Sequence, residues 1–570
     1  MKSLILLIAA FGVHAHISCA QTKIPKRGDS FFGLHFDFHA TMNDQNIGKG
    51  LNGDATRQFL LSIKPDFIEV DAKGHNGVSS YPTRVGYHPA ITGDPLKFYR
   101  DITSSLGIGL YAHVSGIIDA EAINRHPAWG RQDQSGEMDK KNVSIFSPYK
   151  DSVFIPQLKE LGAYGLDGVW IDGDIWSVYS DYNRQGLSSF ARAVGTNVRP
   201  LYGANTVYNG FVTFQEGQYL DYARSYINNV HSYKRAFQIG VNGAFTSIMP
   251  TDVNIPVDFL SVDIPSTKDL GTVELEARFL DRSGLPWDVM TWGFNNKGIK
   301  PVDQLEREIA CIIALGGGFQ LYFTQNRDAS LPLNLGPVLK EVATFARKRQ
   351  PYCFKSEPVP EVAVLYPSGS ASRFKKIPFK DLPEVYEPAK SMTGILLNNA
   401  YQVNILVEDD LANDMMKYPV IAIANWQYIN TRTLSTLKQY VSSGGRLLVT
   451  GAAVKYFKGA TRNVITADVI DGTIISSLKS IYPQQLVSTD ISDKGTLRAV
   501  LAKKGSNQVL NIINISGGAP VSVDVAMKRA AKPGSVWSLT QNKELPVDYS
   551  NGVAHFSVPA VAVHDVIVIK

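Results

Sequence analysis

The chain has 570 residues and a net charge of +5, from 57 Lys and Arg against 52 Asp and Glu. That length exceeds one domain, and the basic residues are scattered, which excludes the clustered footprint of a nucleic-acid binder. An apolar content of 44% supports a packed core and excludes an intrinsically disordered chain.

The N-terminus predicts a secretory signal over residues 1–20. Lys2 supplies the basic start, residues 4–13 the apolar run, and Ser18-Cys19-Ala20 the small residues ahead of a cut before Gln21. The run is too short to span a bilayer, and no later segment is apolar for long enough, so no integral membrane segment is expected. The expected location is periplasmic or secreted. Lipid attachment at Cys19 ranks second, because His16 stands where an aliphatic residue belongs. Cys311 and Cys353 are too few for a disulfide framework or a cysteine zinc site, and Cys311 sits in an apolar helical run.

From residue 30 to residue 350, β-like runs alternate with helical ones. Eight strand candidates occupy residues 32–39, 67–73, 107–113, 168–172, 237–242, 259–263, 287–294 and 319–323. Helical stretches such as 211–234 and 304–315 separate them. This repetition predicts a (β/α)8 TIM barrel. Residues 360–460 predict a small α/β, flavodoxin-like unit, with strands at 362–366, 403–407, 420–425 and 447–450 and a helix at 433–442 that Gly444-Gly445 closes. Residues 477–570 alternate short strands with Gly and Asn turns, for example at 509–515 and 561–569, and predict a β-sandwich.

Barrel enzymes carry their chemistry at the C-terminal ends of the strands. In strand one, His35, Asp37 and His39 alternate with apolar residues, so one face carries all three. A single buried polar residue would be a satisfied core group, whereas three in register point to a site. Glu69, Asp71 and Lys73 share a face of strand two, which on its own reads as an internal ion pair, and His75 follows the strand. Strand three ends at His113. Strand four is the sharpest signal: Trp170-Ile171-Asp172-Gly173-Asp174, then Trp176, runs from a core strand into a carboxylate, a glycine, a second carboxylate and an indole. An aromatic beside a carboxylate suits a sugar, whose C–H face stacks on a ring while its hydroxyls bond to the acid. Asp174 reads more simply as a helix cap.

Asn242 closes strand five and Asp263 strand six, and strand seven runs from Trp287-Asp288 to Trp292-Gly293. Glycoside hydrolysis needs two carboxyl groups, one ionised and one protonated. Asp172 is therefore expected to work with Asp288, or failing that with Asp263. The His-x-Asp-x-His pattern of strand one also suits a metal-dependent hydrolase, but strands five and six contain no further histidines, so neither a metal nor a cofactor is expected.

These motifs resemble the α-L-fucosidases of glycoside hydrolase family 29 and related hypothetical glycosyl hydrolases, over most of residues 30–330. Phe32-Gly33-Leu34-His35 is similar to their first strand, with His35 or Asp37 in the place of the family histidine. Lys73, His75 and Gly77 match their Lys-His-His-acid-Gly turn, while Gly74 and Asn76 depart from it. Trp170-Ile171-Asp172-Gly173 matches the strand that bears their nucleophile. Trp287-Asp288 with Trp292-Gly293-Phe294 is similar to their acid/base segment, with an Asp for the family's Glu. His126-Pro127-Ala128-Trp129, Asp133, Gly136 and Ser147-Pro148-Tyr149 are similar to a loop of the hypothetical glycosyl hydrolases, and residues 360–455 to the trimerisation domain of family 42 β-galactosidases. The resemblance implies an exported, retaining, exo-acting α-L-fucosidase-like enzyme on terminal sugars of complex glycans, forming a homo-oligomer through the middle domain. In it Asp172 would be the nucleophile and Asp288 or Asp263 the acid/base. His35, Asp37, His39, Lys73, His75, His113, Asp174, Trp176, Asn242 and Trp292 would bind sugar or wall the pocket. The competing expectation is a non-catalytic glycan-binding barrel, which requires that no second carboxyl lie near Asp172.

Overall fold

Short apolar runs form eight parallel strands: β1 (Phe32–Asp37), β2 (Phe67–Lys73), β3 (Gly109–Ser115), β4 (Gly168–Asp172), β5 (Gln238–Val241), β6 (Leu260–Ile264), β7 (Trp287–Trp292) and β8 (Gly318–Thr324). The computed structural model describes residues 24–174, 180–203, 205–369, 383–459, 462–491 and 497–570. The expected signal segment, Cys19 and Trp176 lie outside these residues. The strands pair in the order β5-β4-β3-β2-β1-β8-β7-β6, and a parallel bridge between Asn242 and Ser261 joins the two ends. The result is the expected TIM barrel.

Alternate residues of each strand face the barrel axis and stack in layers. At the closed end, Phe67, Tyr111 and Phe259 fill the axis with Trp170 and Met290 above them. Gly240 makes room for this packing, since a Cβ there would lie 2.3 Å from the Phe259 ring. The residues between face outward onto the helices, as Val70, Val114, Val169 and Val289 do within the main core.

The alternation fails once. Between Asp71 and Lys73 the register of β2 against β3 shifts, so Asp71 pairs with His113 but Lys73 with the outward-facing Val114. This bulge turns Lys73 away from the axis, against the expectation that it shares the face of Glu69 and Asp71. Its ammonium is buried behind the strands, on Asp119 Oδ2 at 3.1 Å and Tyr149 Oη at 2.5 Å.

Beyond the barrel, β9 (Val362–Tyr366), β10 (Val403–Val407), β11 (Val420–Ala424), β12 (Arg446–Thr450) and β13 (Val464–Ala467) form a parallel sheet in the order β10-β9-β11-β12-β13. The C-terminal part packs a six-stranded sheet on a four-stranded one around Leu501, Ile512, Val525 and Phe556. Buried arginines tie it to the barrel helices: Arg498 Nε donates to Glu274 Oε1 at 2.6 Å and Arg349 Nη2 to the His564 carbonyl at 2.6 Å. No helix among the described residues is long and apolar enough to cross a membrane.

Candidate active site

The upper layer of the barrel interior collects nearly every polar strand end singled out in the sequence. Asp172, the last residue of β4, is followed by Gly173 at φ 80°, a left-handed turn that a side chain would strain. Asp172 Oδ1 accepts a hydrogen bond from Asn242 Nδ2 at 2.8 Å, and Oδ2 faces His75 Nε2 at 3.3 Å and His113 Nε2 at 3.5 Å. The same Asn242 amide donates to Asp263 Oδ1 at 2.9 Å, and Trp292 Nε1 donates to Asp263 Oδ2 at 3.2 Å. One nitrogen spanning two carboxyl oxygens holds those oxygens within about 6 Å of each other.

The surroundings drive these two acids apart in protonation. Burial opposes the charge on Asp172, but His113 and His75 outweigh it and hold its pKa well below the ordinary carboxylate value. Asp263 is raised, first by burial and then by the negative charge of Asp172, despite the Asn242 and Trp292 donors. Asp172 is thus an ionised carboxylate with its side chain 17% exposed, and Asp263 beside it holds its proton to higher pH than an ordinary carboxyl.

The histidines form the other wall. His113 is fully buried, with Nδ1 on Asp71 Oδ1 at 3.3 Å; burial disfavours its charge, yet Asp172 and Asp71 raise its pKa well above the usual value. His35 lies between Glu69 Oε1 at 2.7 Å and Asp37 Oδ2 at 2.9 Å, and these carboxylates overcome burial to lift it to about 9. Asp37 also accepts from Tyr322 Oη at 2.9 Å, and its pKa is held well below normal, against burial, by His35 and His39. At the rim His75 Nδ1 meets Ser115 Oγ at 2.5 Å.

His39 explains the two departures in the strand-two turn. It sits in the left-handed region at φ 49°. A Cβ on residue 74 would lie 2.5 Å from the His39 Cα, so Gly74 is what lets the His39 turn close onto β2. Asn76 Nδ2 then donates to the carbonyls of His39 and Ala40 at 3.3 and 3.2 Å, holding that turn. Asp37, His39 and His113 bring ligand-type atoms within 4.8 Å of one another. However, His39 Nδ1 accepts from the His75 amide at 3.2 Å, which puts the ring proton on Nε2, toward Asp37. A protonated nitrogen cannot ligate, so the hydrogen bonding of His39 fits a proton-sharing cluster.

Three expected site residues lie elsewhere. Asp288 pairs in register with Ser261, one inward layer below Asp263. It accepts from Arg27 Nε and Ser261 Oγ, both at 2.7 Å, and from Gln320 Nε2 at 3.0 Å. As the second residue of β7 it belongs to the closed half of the barrel, one layer below the level at which Asp263 meets the Asn242 amide that Asp172 shares. Lys73 is turned outward by the bulge. Asp174 is fully buried, bonded to Tyr226, and burial raises it to about 7. The sequence reading missed Tyr322 and Arg27. Tyr322 alternates inward in β8 with Gln320, a legible signal; Arg27 precedes β1 and carries none.

No family model and no curated protein matches the sequence. Solved structures do match in fold. An α-L-fucosidase, isoenzyme 2, from Paenibacillus thiaminolyticus aligns with a TM-score of 0.81 at 14% identity, covering 95% of this chain and 99% of that one. The β-galactosidase from Bacillus circulans sp. alkalophilus aligns with a TM-score of 0.66 at 12% identity, over 95% and 99% of the two chains. An exo-carrageenase from Bacteroides ovatus aligns at 0.56 with 10% identity, over 95% and 80%. The barrel and both following domains are thus an arrangement that glycoside hydrolases use.

Proposed function

We propose that the chain is an exported, retaining, exo-acting glycoside hydrolase whose nucleophile is Asp172 and whose acid/base is Asp263. The observation that carries this reading is the pair of carboxyls joined by one Asn242 amide, one held well below and the other raised above the ordinary carboxylate pKa. The bridging amide keeps their nearest oxygens within about 6 Å, closer to the about 5–5.5 Å of retaining pairs than to the about 6.5–9.5 Å that an inverting water needs. Asp172 attacks the anomeric carbon as the glycosidic C–O bond breaks, and Asp263 gives its proton to the departing oxygen. Asp263 then takes a proton from water, which displaces Asp172 from the sugar. In the imidazole–carboxylate wall the partly exposed His39 and His75 supply hydrogen bonds to sugar hydroxyls, while the buried His35, Asp37 and His113 hold the wall in place, and Trp292 supplies a ring for the sugar face.

Terminal α-L-fucose is the first substrate to test, supported by the strand-one and strand-four motifs and by the fucosidase that shares the fold. Galactosides come second, because β-galactosidases share the fold as well. Purified protein is assayed on a panel of nitrophenyl glycosides, with the product anomer followed by NMR. Turnover of a fucoside with retention is expected. Turnover of a β-galactoside alone replaces the substrate, inversion overturns the Asp172 role, and absence of turnover on every glycoside overturns the enzymatic reading. Export by the N-terminal signal and assembly through the middle domain complete the proposal, and cell fractionation and light scattering check them.

A further inference from the structure

The closed end of the barrel holds a charged cluster that the proposed chemistry does not use. Arg27 lies in the short turn Arg27–Asp29 ahead of β1 and is 3% exposed. Its guanidinium carbon sits 3.7 Å from the ring centre of Phe67, 4.4 Å from Phe259 and 4.8 Å from Tyr111. Nε donates to Asp288 Oδ2 at 2.7 Å and Nη1 to Glu69 Oε2 at 3.2 Å. The other Glu69 oxygen meets His35 Nδ1 at 2.7 Å, and His35 Nε2 meets Asp37 Oδ2 at 2.9 Å. A single file of charged groups therefore runs from the base of the barrel to the pocket.

We propose that Arg27 is a positioning residue for the active site, acting through Glu69 and His35 to fix the orientation and ionisation of Asp37. The rate measurements below rest on the glycosidase reading; the spectroscopic one does not. A buried carboxylate without a cation takes up a proton rather than remain charged. Glu69 divides its two oxygens between a guanidinium and an imidazole, and Asp288 shares that guanidinium. Without Arg27, Glu69 keeps its proton to higher pH. A protonated Glu69 no longer holds the His35 ring by an ionic hydrogen bond, and Asp37 loses its fixed donor. The groups that face His35 are Glu69 on β2, Asp37 on β1, His113 on β3, Asp263 on β6 and Tyr322 on β8. Of these, Glu69 is the one bonded to Arg27.

The test compares Arg27→Ala and Arg27→Lys with the wild type. In Arg27→Ala we expect kcat to fall by about 10–100-fold, the cost of a small displacement of pocket groups. The acidic limb of kcat/KM moves up by about half to one pH unit as the acids lose a cation. Millimolar guanidinium, which fits the space left among the three rings, restores both in the variant and leaves the wild type unchanged. Lys restores the limb but only part of kcat, because it lacks the planar fork that spans two acids. Ring 15N signals of His35 move in both variants, while those of His231, paired with Asp258 outside the cluster, stay. A folded Arg27→Ala with a wild-type acidic limb, unmoved His35 signals and no response to guanidinium overturns the proposal. Should Arg27→Ala fail to fold, Arg27→Lys decides: wild-type kcat together with unmoved His35 signals overturns it. If the wild type turns over no glycoside, the enzymatic reading fails on its own, and the His35 signals still decide the role of Arg27.

Discussion

The two ends of one barrel interior handle carboxylates in opposite ways. At the closed end Asp288 has a guanidinium, a hydroxyl and an amide around it, so both its oxygens are bonded and its position held. At the open end Asp172 and Asp263 share one amide, and Asp172 adds to the pKa of its neighbour. An acid whose oxygens are all tied at the base of the barrel is held in place, whereas two acids that face each other with unequal partners differ in how readily they give up a proton. An acid on a barrel strand is therefore no catalytic signature until its level along the strand is known.

Substitutions of the acids themselves should separate the two ends. Asp172→Asn removes the attacking charge and is expected to lower kcat by about 10⁴-fold or more with the fold intact; a variant keeping a tenth of the activity ends the assignment. Asp263→Asn is expected to cost about 10²–10⁴-fold on leaving groups that need a proton and far less on those that do not. The proposed mechanism needs Asp172 ionised and Asp263 protonated. The acidic limb should then lie below the ordinary carboxylate range and the alkaline limb above it, and Asp263→Asn should abolish the alkaline limb.

Asp288→Asn inverts the pattern. It breaks a buried pair, so denaturant titration should show a loss of about 3–5 kcal/mol, while kcat changes by less than about tenfold. A large rate loss in an otherwise stable Asp288→Asn would erase the distinction between the two ends.

The remaining predictions concern pH and stability. The His35 pKa rises from 6.5 to about 9 on folding, so its contribution is complete below 6.5 and is lost as the pH climbs through about 9. Thermal scans should show that decline, and His35→Gln should flatten this part of it. The smallest effect belongs to Asp174, whose pKa rises from 3.8 to about 7. A raised carboxyl costs stability as pH rises across that window, so Asp174→Asn should gain stability at pH 8 relative to wild type and little at pH 4.

Much of this was legible in the chain. Alternation placed His35 and Asp37 on an inward face, although His39, expected with them, reaches the pocket from a left-handed turn past the end of β1, and the glycine after Asp172 marked the end of β4. The same alternation misled at Lys73, because a bulge is set by how β2 fits against β3 rather than by the residues of β2 alone. The choice between Asp263 and Asp288 was half legible: Asp263 stands near the end of β6 and Asp288 near the start of β7, but a sequence resemblance weighed against strand position.

By itself, then, the chain determined its strands, their inward faces and the group of polar side chains those faces deliver, because side-chain direction in a strand follows from local backbone geometry. Only the tertiary structure decided which acids meet across the barrel, which histidines carry charge and what the Arg27 guanidinium neutralises. Those outcomes depend on distances between strands far apart in sequence and on the loss of water around them, and neither exists until the barrel closes.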